Sequence, residues 1–264
     1  MQLQTFMHDM PIWIVAVVVT IAAEVFSVGL MLTARYAYGV SRLSLNNEVA
    51  GFKFAVVGVF YSVLLAFVVI AVWETYTETD GAVRDEAKAV VDLQLVIHAL
   101  PLDGGAEISK NLIAYTKDVP AHEWPTMAVG QASPITTMDL RKLSTQILAL
   151  EPGTRRDLAL YQDALRLLTV IADNRMERLE SANGSVPAIL WTVLVLGGLI
   201  TLGYPAFFAS SNLAAQILMT ASLAALVAMS LVLALAFDFP FTGNPHISSV
   251  PFETALEHMS ESSP

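Results

Sequence analysis

Two ionisable residues lie inside long apolar stretches of the sequence, where a charge is costly. Glu24 falls near the middle of the first stretch, with Thr20 and Ser27 on the same helical face. A charge at mid-bilayer costs about 2.5 kcal/mol or more unless it meets water or a partner. Glu24 is therefore a candidate cation or proton site, or else a protonated glutamate hydrogen-bonded between helices. Lys53 is just inside the second stretch, where its long side chain can reach the interface or pair with Glu48.

An apolar row follows in the second stretch. Phe60 and Phe67 recur at an interval of seven, and Val63 and Ile70 form the adjacent row. In an oligomer these side chains could line a narrow pore that closes by dewetting. The same spacing also fits a lipid-facing or core stripe. The four residues are candidate pore-lining positions.

Acidic residues follow this row directly. Glu74, Glu78, Asp85 and Glu86 lie at the start of the segment after the second apolar stretch. Around the mouth of a pore, such carboxylates would make a ring of negative potential that favours cations. They are candidate mouth residues.

No grouping in the sequence is typical of an enzyme. The five histidines are scattered and none forms a helical HxxxH pair, and cysteine is absent. Neither a metal site nor a cofactor is expected. The net charge of −10 and the lack of a basic patch argue against a nucleic-acid partner.

The composition places the chain in the membrane class, with 55% hydrophobic and only 14% charged residues. A bilayer core of about 30 Å needs about 20 apolar residues in a helix. The sequence offers four such stretches: 11–34, 51–73, 187–208 and 213–237. We therefore predict an all-α, multi-pass membrane protein that is surrounded by lipid.

The predicted domains follow from these stretches, two of which precede and two of which follow a soluble helical bundle. They are a transmembrane pair (1–73), the bundle (74–186), a transmembrane hairpin (187–237) and an acidic, flexible tail (238–264). Gly197 and Gly198 would let another backbone approach the third span.

The last bundle helix carries a heptad stripe of Leu158, Leu165, Ala172 and Leu179, which predicts packing within the bundle or against a neighbouring subunit. With few breakers before Pro187, this helix is expected to run almost continuously into the third span. The second span is expected to continue as a helix into the bundle in the same way.

Several short stretches resemble a known family. They include Ala23-Glu24, Asp85-Glu86-Ala87, Glu123-Trp124-Pro125 and the end of the last bundle helix near Arg178. These stretches are similar to the bacterial bestrophin-like family, and the resemblance covers about residues 15 to 210. It is spread along the chain rather than concentrated in one motif.

The resemblance implies the layout of bestrophins, which are pentameric anion channels with two spans on each side of an intracellular helical region. It implies a homo-oligomer that passes inorganic ions, with span two around a central pore and the helical domain as a vestibule. Phe60, Val63 and Phe67 would then form the neck. Two observations differ from what the resemblance implies. The acidic mouth residues favour cations rather than anions, and the distribution of Lys and Arg favours an external rather than an intracellular helical domain. The alternative function is a membrane-anchored sensor or assembly module whose helical domain binds a ligand or partner.

Overall fold

The computed structural model describes residues 11–100, 104–243 and 245–261, and within them the chain is helical and has no strand. The α-helices are α1 (Ile12–Tyr38), α2 (Val40–Ser44), α3 (Asn47–Ala99), α4 (Gly105–Asp118), α5 (Trp124–Met127), α6 (Pro134–Leu148), α7 (Arg155–Ser181), α8 (Ala188–Gly203), α9 (Leu213–Asp238) and α10 (Val250–Glu261). A π-helical turn, Val119–Glu123, precedes α5, and a 3-10 turn, Tyr204–Phe207, follows α8. The predicted all-α class is confirmed.

The chain forms two compact units. The apolar unit comprises the described residues of 11–74 and 185–238, and the bundle unit those of 75–184 and 239–261. Helix α3 contributes residues to both. Four helical segments are long and apolar enough to cross a membrane: α1, α3, α8 with the 3-10 turn, and α9.

In the apolar unit, α1 packs against α8, α9 and the 3-10 turn. Helix α3 places every third or fourth side chain in the core, as expected for one face of a helix. One cluster of buried apolar side chains comes from α3, α8 and α9: Tyr61, Leu65, Val68, Val72, Leu194, Leu202, Ala224 and Val227.

Two glycines of α8 allow close packing, although the group that approaches them is a side chain and not the predicted backbone. A Cβ on Gly197 would lie 2.8 Å from Cδ2 of Tyr61, and one on Gly198 would lie 3.0 Å from the Tyr61 hydroxyl. The Tyr61 ring therefore occupies the space that a larger residue would need.

Gly197→Ala is expected to destabilise the protein, because overpacking costs about 1–3 kcal/mol. Gly29→Ala is the matched control, since a Cβ at Gly29 meets nothing within 4 Å. Both changes gain the same helix propensity, so the difference between their melting temperatures isolates the clash. Adding Tyr61→Leu should restore much of the loss. Equal melting temperatures for the two alanine variants would contradict the packing described.

The connection before α9 is held by side chains from α1 and α3. Arg35 donates through Nη1 to the carbonyl oxygen of Ser210 (2.7 Å) and to Oε1 of Gln216 (2.8 Å). Asn47 donates to the carbonyl of Ala209 (2.9 Å) and accepts from its N–H (3.1 Å). Arg35 therefore fixes this loop.

Two serines of α9 form hydrogen bonds within their own helix. Ser222 and Ser230 donate to the carbonyls of Leu218 and Leu226 on their own helix. A serine hydroxyl reaches the carbonyl four residues earlier without any partner helix.

In the bundle unit, α6 begins with Pro134 at the first position, and the Ser133 hydroxyl accepts from the Thr136 N–H. Helix α7 begins with a capping box between Thr154 and Asp157. The core draws on all its major helices. Its largest buried apolar members are Leu93, Ile97, Leu112, Tyr115, Met127, Leu143, Ile147, Ile171, Phe252 and Met259.

The buried stripe of α7 differs from the predicted heptad. Leu158 is 44% exposed, whereas Leu165 and Leu179 of the heptad are half-buried against the core. The buried residues include Ala164, Leu167, Leu168, Ile171, Arg175 and Arg178. The observed stripe is offset from the predicted one because it includes Arg175 and Arg178. A prediction from sequence places charged residues on the exposed face of a helix and therefore excludes them from the buried stripe.

The two predicted continuous connections have different outcomes. Helix α3 runs unbroken from Asn47 to Ala99, as predicted. Helix α7 ends at Ser181, and α8 begins only at Ala188, so the second prediction is wrong. Gly184 adopts a positive φ of 83°, which ends the helical path. The Asp238 carboxylate accepts from the N–H groups of Ser185 and Val186.

The C-terminal segment is not the predicted flexible tail. Residues 239–261, where described, belong to the bundle unit, and α10 packs against α4. Phe252 and Met259 are buried, and the Trp124 indole donates to the carbonyl of Ile247 (3.1 Å). The acidic side chains of α10 occupy its other face, so the acidity did not prevent packing.

Candidate functional site

One face of α3 is left exposed by the part of the chain that the structure describes. Phe60 is 76% exposed, Val63 49%, Phe67 68% and Ile70 53%, while Tyr61 on the opposite face is buried. The four predicted pore-lining residues therefore lie together on a single apolar surface. Such a surface must be covered by lipid, by another copy of the chain or by the wall of a pore.

The two predicted intramembrane polar residues occupy different environments. Glu24 is half-buried in α1, and the adjacent turn is anchored by Ser27, whose hydroxyl donates to the carbonyl of Leu202 (2.7 Å). Lys53 is exposed, and no Lys53–Glu48 ion pair forms among the described residues. Five residues on a helix turn the two side chains about 140° apart, which explains why this pair does not form.

Three of the four predicted mouth acids are exposed: Glu74, Glu78 and Asp85. Glu86 is completely buried and leaves this set. It follows Asp85 on the helix, about 100° further round, and so points into the bundle.

Sequence reasoning missed two further acids near Glu78 and Asp85. Partial burial, together with the charges of Glu78, Asp85 and Glu180, raises the pKa of Glu177 on α7. Glu177 and Glu180 therefore enlarge the negative surface of the bundle unit. They were missed because no sequence signal relates α7 to α3.

A buried network of charges lies at the centre of the bundle unit. Arg178 donates to both carboxylate oxygens of Glu86 (2.9 and 3.0 Å) and to Glu123 (2.9 Å). Glu123 also accepts from Arg175, which in turn donates to the Thr137 hydroxyl (2.8 Å). Two carboxylates face two guanidinium groups, so the network is neutral.

The network is completed by aromatic and sulfur contacts. The Arg178 guanidinium lies 5.1 Å from the centre of the Trp124 ring and 5.8 Å from that of Phe252. Nη1 of Arg178 lies 3.1 Å from the sulfur of Met127. The Tyr115 hydroxyl donates to Glu86. These contacts tie α3, α4, α5, α7 and α10 to one arginine.

The electrostatics keep both Arg178 and Tyr115 protonated. Burial alone would lower the pKa of Arg178, but the carboxylates of Glu86 and Glu123 outweigh it and raise the pKa. Burial, and then the charge of Glu86, raises the pKa of Tyr115 well above its ordinary value. Arg178 therefore stays charged and Tyr115 stays a donor.

Within the described ranges, no group of three or more His, Asp or Glu side chains could hold a metal ion. The exposed face of α3 and the exposed acids Glu74, Glu78 and Asp85 remain the candidate residues. The buried charges are held by one another and are unavailable to a ligand.

The fold and this arrangement match one family. The model of the bestrophin-like domain matches residues 21–252, which is most of the chain, so the protein belongs to the bestrophin-like family. The stretches that suggested this family include Glu86, Glu123, Trp124 and Arg178, which meet in the buried network.

Solved structures show the same fold. A bacterial bestrophin homolog from Klebsiella pneumoniae, solved by Zn-SAD phasing, is 15% identical with a TM-score of 0.70, and the match covers 92% of this chain and 99% of that one. A point mutant of that homolog is 14% identical with a TM-score of 0.71, over 92% and 98% of the two chains. No match was found among curated proteins.

Proposed function

We propose that the protein is an oligomeric ion channel of a bacterial inner membrane. In this proposal four helical segments cross the bilayer, the exposed face of α3 lines a central pore, and the helical domain forms a vestibule. Family membership supports this proposal, and the bestrophin resemblance implies five copies around the pore.

The observation that carries the proposal is the exposed row of Phe60, Val63, Phe67 and Ile70. Copies of α3 arranged around an axis would bring these rows together. The rings and branched side chains would form an apolar constriction, which excludes water until it widens. This arrangement explains why two large aromatic residues are placed on the face that the chain itself leaves uncovered.

The exposed acids bear on the choice of ion. Glu74, Glu78 and Asp85, joined by Glu177 and Glu180, would lower the potential on one side of the constriction. Negative potential concentrates cations. The bestrophin resemblance implies anions, so the reversal potential in a salt gradient decides between the two.

The chain contains no cysteine, which permits a direct test of the pore. Ile70→Cys is expected to react with a water-soluble, charged methanethiosulfonate reagent in proteoliposomes, and the reaction should block ion flux. Leu196→Cys on α8 is the matched control, because Leu196 has nearly the same exposure (55% against 53%). Its flux should not change on treatment.

Two outcomes would count against the proposal. If the wild-type protein passes no ions above empty liposomes over a range of voltage, pH and calcium, it is not a channel. A sensor or assembly module would then be the better hypothesis. If flux occurs but both cysteine variants respond alike, α3 does not line the path.

A further inference from the structure

Helix α3 carries opposite charges at the two ends of its exposed row. Lys53, Phe60, Phe67 and Glu74 are spaced at intervals of seven, and all four side chains are exposed. A seven-residue interval drifts by only about 20° on a straight helix. The four side chains therefore lie on one narrow strip of the surface.

The strip has the dimensions of a bilayer crossing. Glu74 lies twenty-one positions after Lys53, and at about 1.5 Å per position the two are about 31 Å apart along the helix, close to the thickness of a hydrocarbon core. No Asp, Glu, Lys, Arg or His occurs between them. The charges therefore mark the two ends of an uncharged passage.

Neither charge is neutralised by an ion pair among the described residues. Glu48, the nearest acid to Lys53 in sequence, lies on another side of the helix. Arg84, beyond Glu74 on the same helix, pairs instead with Asp80. Each charge can therefore act on ions in solution.

We propose that Lys53 and Glu74 form charged rings of opposite sign at the two ends of the pore and together set its selectivity and its rectification. This inference rests on the proposed channel function. The lysine ring concentrates anions at its end, and the glutamate ring concentrates cations at the other.

The two rings make conduction depend on the sign of the voltage. One polarity drives each ion into the pore from the end where it is enriched, so the pore fills with carriers. The opposite polarity drives both ions outwards and depletes the pore. The two charged rings, rather than the apolar neck, therefore determine which voltage polarity gives the larger current.

Single-channel recording in planar bilayers tests the inference. At about 0.1 M salt, where charges act over about 10 Å, the wild-type current should rectify; at about 1 M it should become nearly linear. Lys53→Gln should weaken rectification and shift the reversal potential towards that of the cation. Glu74→Gln should also weaken it and shift the potential towards that of the anion.

Arg42→Gln is the matched control, because Arg42 is an exposed cation of α2 outside the strip. This variant should rectify like the wild type. A linear wild-type current, or a Lys53→Gln current like that of the wild type, would overturn the inference while leaving a functioning channel. Absence of any wild-type current would instead overturn the proposed function.

Discussion

Arg178→Met is expected to unfold the bundle unit or lower its melting temperature severely. The change leaves the carboxylates of Glu86 and Glu123 buried with one guanidinium group fewer between them. Removing one partner of a buried ion pair costs about 3–5 kcal/mol, a large part of a typical stability of about 5–15 kcal/mol. Thermal unfolding of the purified protein, followed by circular dichroism, measures the loss.

Two further variants separate lost charge from lost packing. Arg166→Met removes an exposed arginine of the same helix, paired with Asp163, and should cost less than about 1 kcal/mol. Adding Glu86→Gln to Arg178→Met removes one unpaired carboxylate and should recover part of the stability. If the double variant is no more stable than Arg178→Met, packing around Trp124 and Phe252 explains the loss instead.

The helices that depend on local signals could be predicted from the sequence. Span length and composition located α1, α8 and α9. The unbroken course of α3 followed from the absence of proline between Trp73 and Val83, where Gly81 is the only glycine. Each of these features is determined by residues close together in sequence.

The buried network could not be predicted, because its members are far apart in sequence. Glu86 and Arg178 are separated by 92 positions. Each is a charged residue, which by itself is expected on the surface of the protein. Burial of either charge is favourable only with the other present. One signal was available: Arg175 interrupts the apolar stripe of α7, and it is one of the buried arginines.

The C-terminal helix, α10, could also have been predicted from the sequence. Phe252, Ala255 and Met259 are spaced as one face of a helix, and all three are buried. The acidity of residues 238–264 outweighed this pattern in the prediction. Net charge describes the exposed face and does not exclude an apolar one.

The exposed row of α3 is a different case, because the sequence predicted its residues but not what covers them. Phe60 and Phe67 have the same spacing whether they face lipid or a pore, since both surroundings select apolar side chains. The packing of a single chain leaves the row exposed in either case. A change in conduction on shortening one of these side chains distinguishes the two.

Phe67→Ala is expected to raise ion flux about tenfold. An ion can pass only when water enters the apolar constriction, and the free energy of wetting it forms the barrier. Exposing a phenylalanine side chain to water costs about 1.5–3 kcal/mol. Lowering the barrier by about 1.4 kcal/mol corresponds to a tenfold change. Flux is measured in proteoliposomes at equal protein density. Because Phe67 is 68% exposed, the folded chain should tolerate the change.

Leu196→Ala provides the comparison, since it truncates an exposed apolar side chain on α8. If Phe67 faces lipid, the two variants should leave flux equally unchanged, because loss of lipid contact does not alter a conduction barrier. If Phe67 lines the pore, only Phe67→Ala should conduct more. Lys53→Gln should change rectification without this rise, because the charge at the end of the strip and the apolar neck act on different steps of permeation.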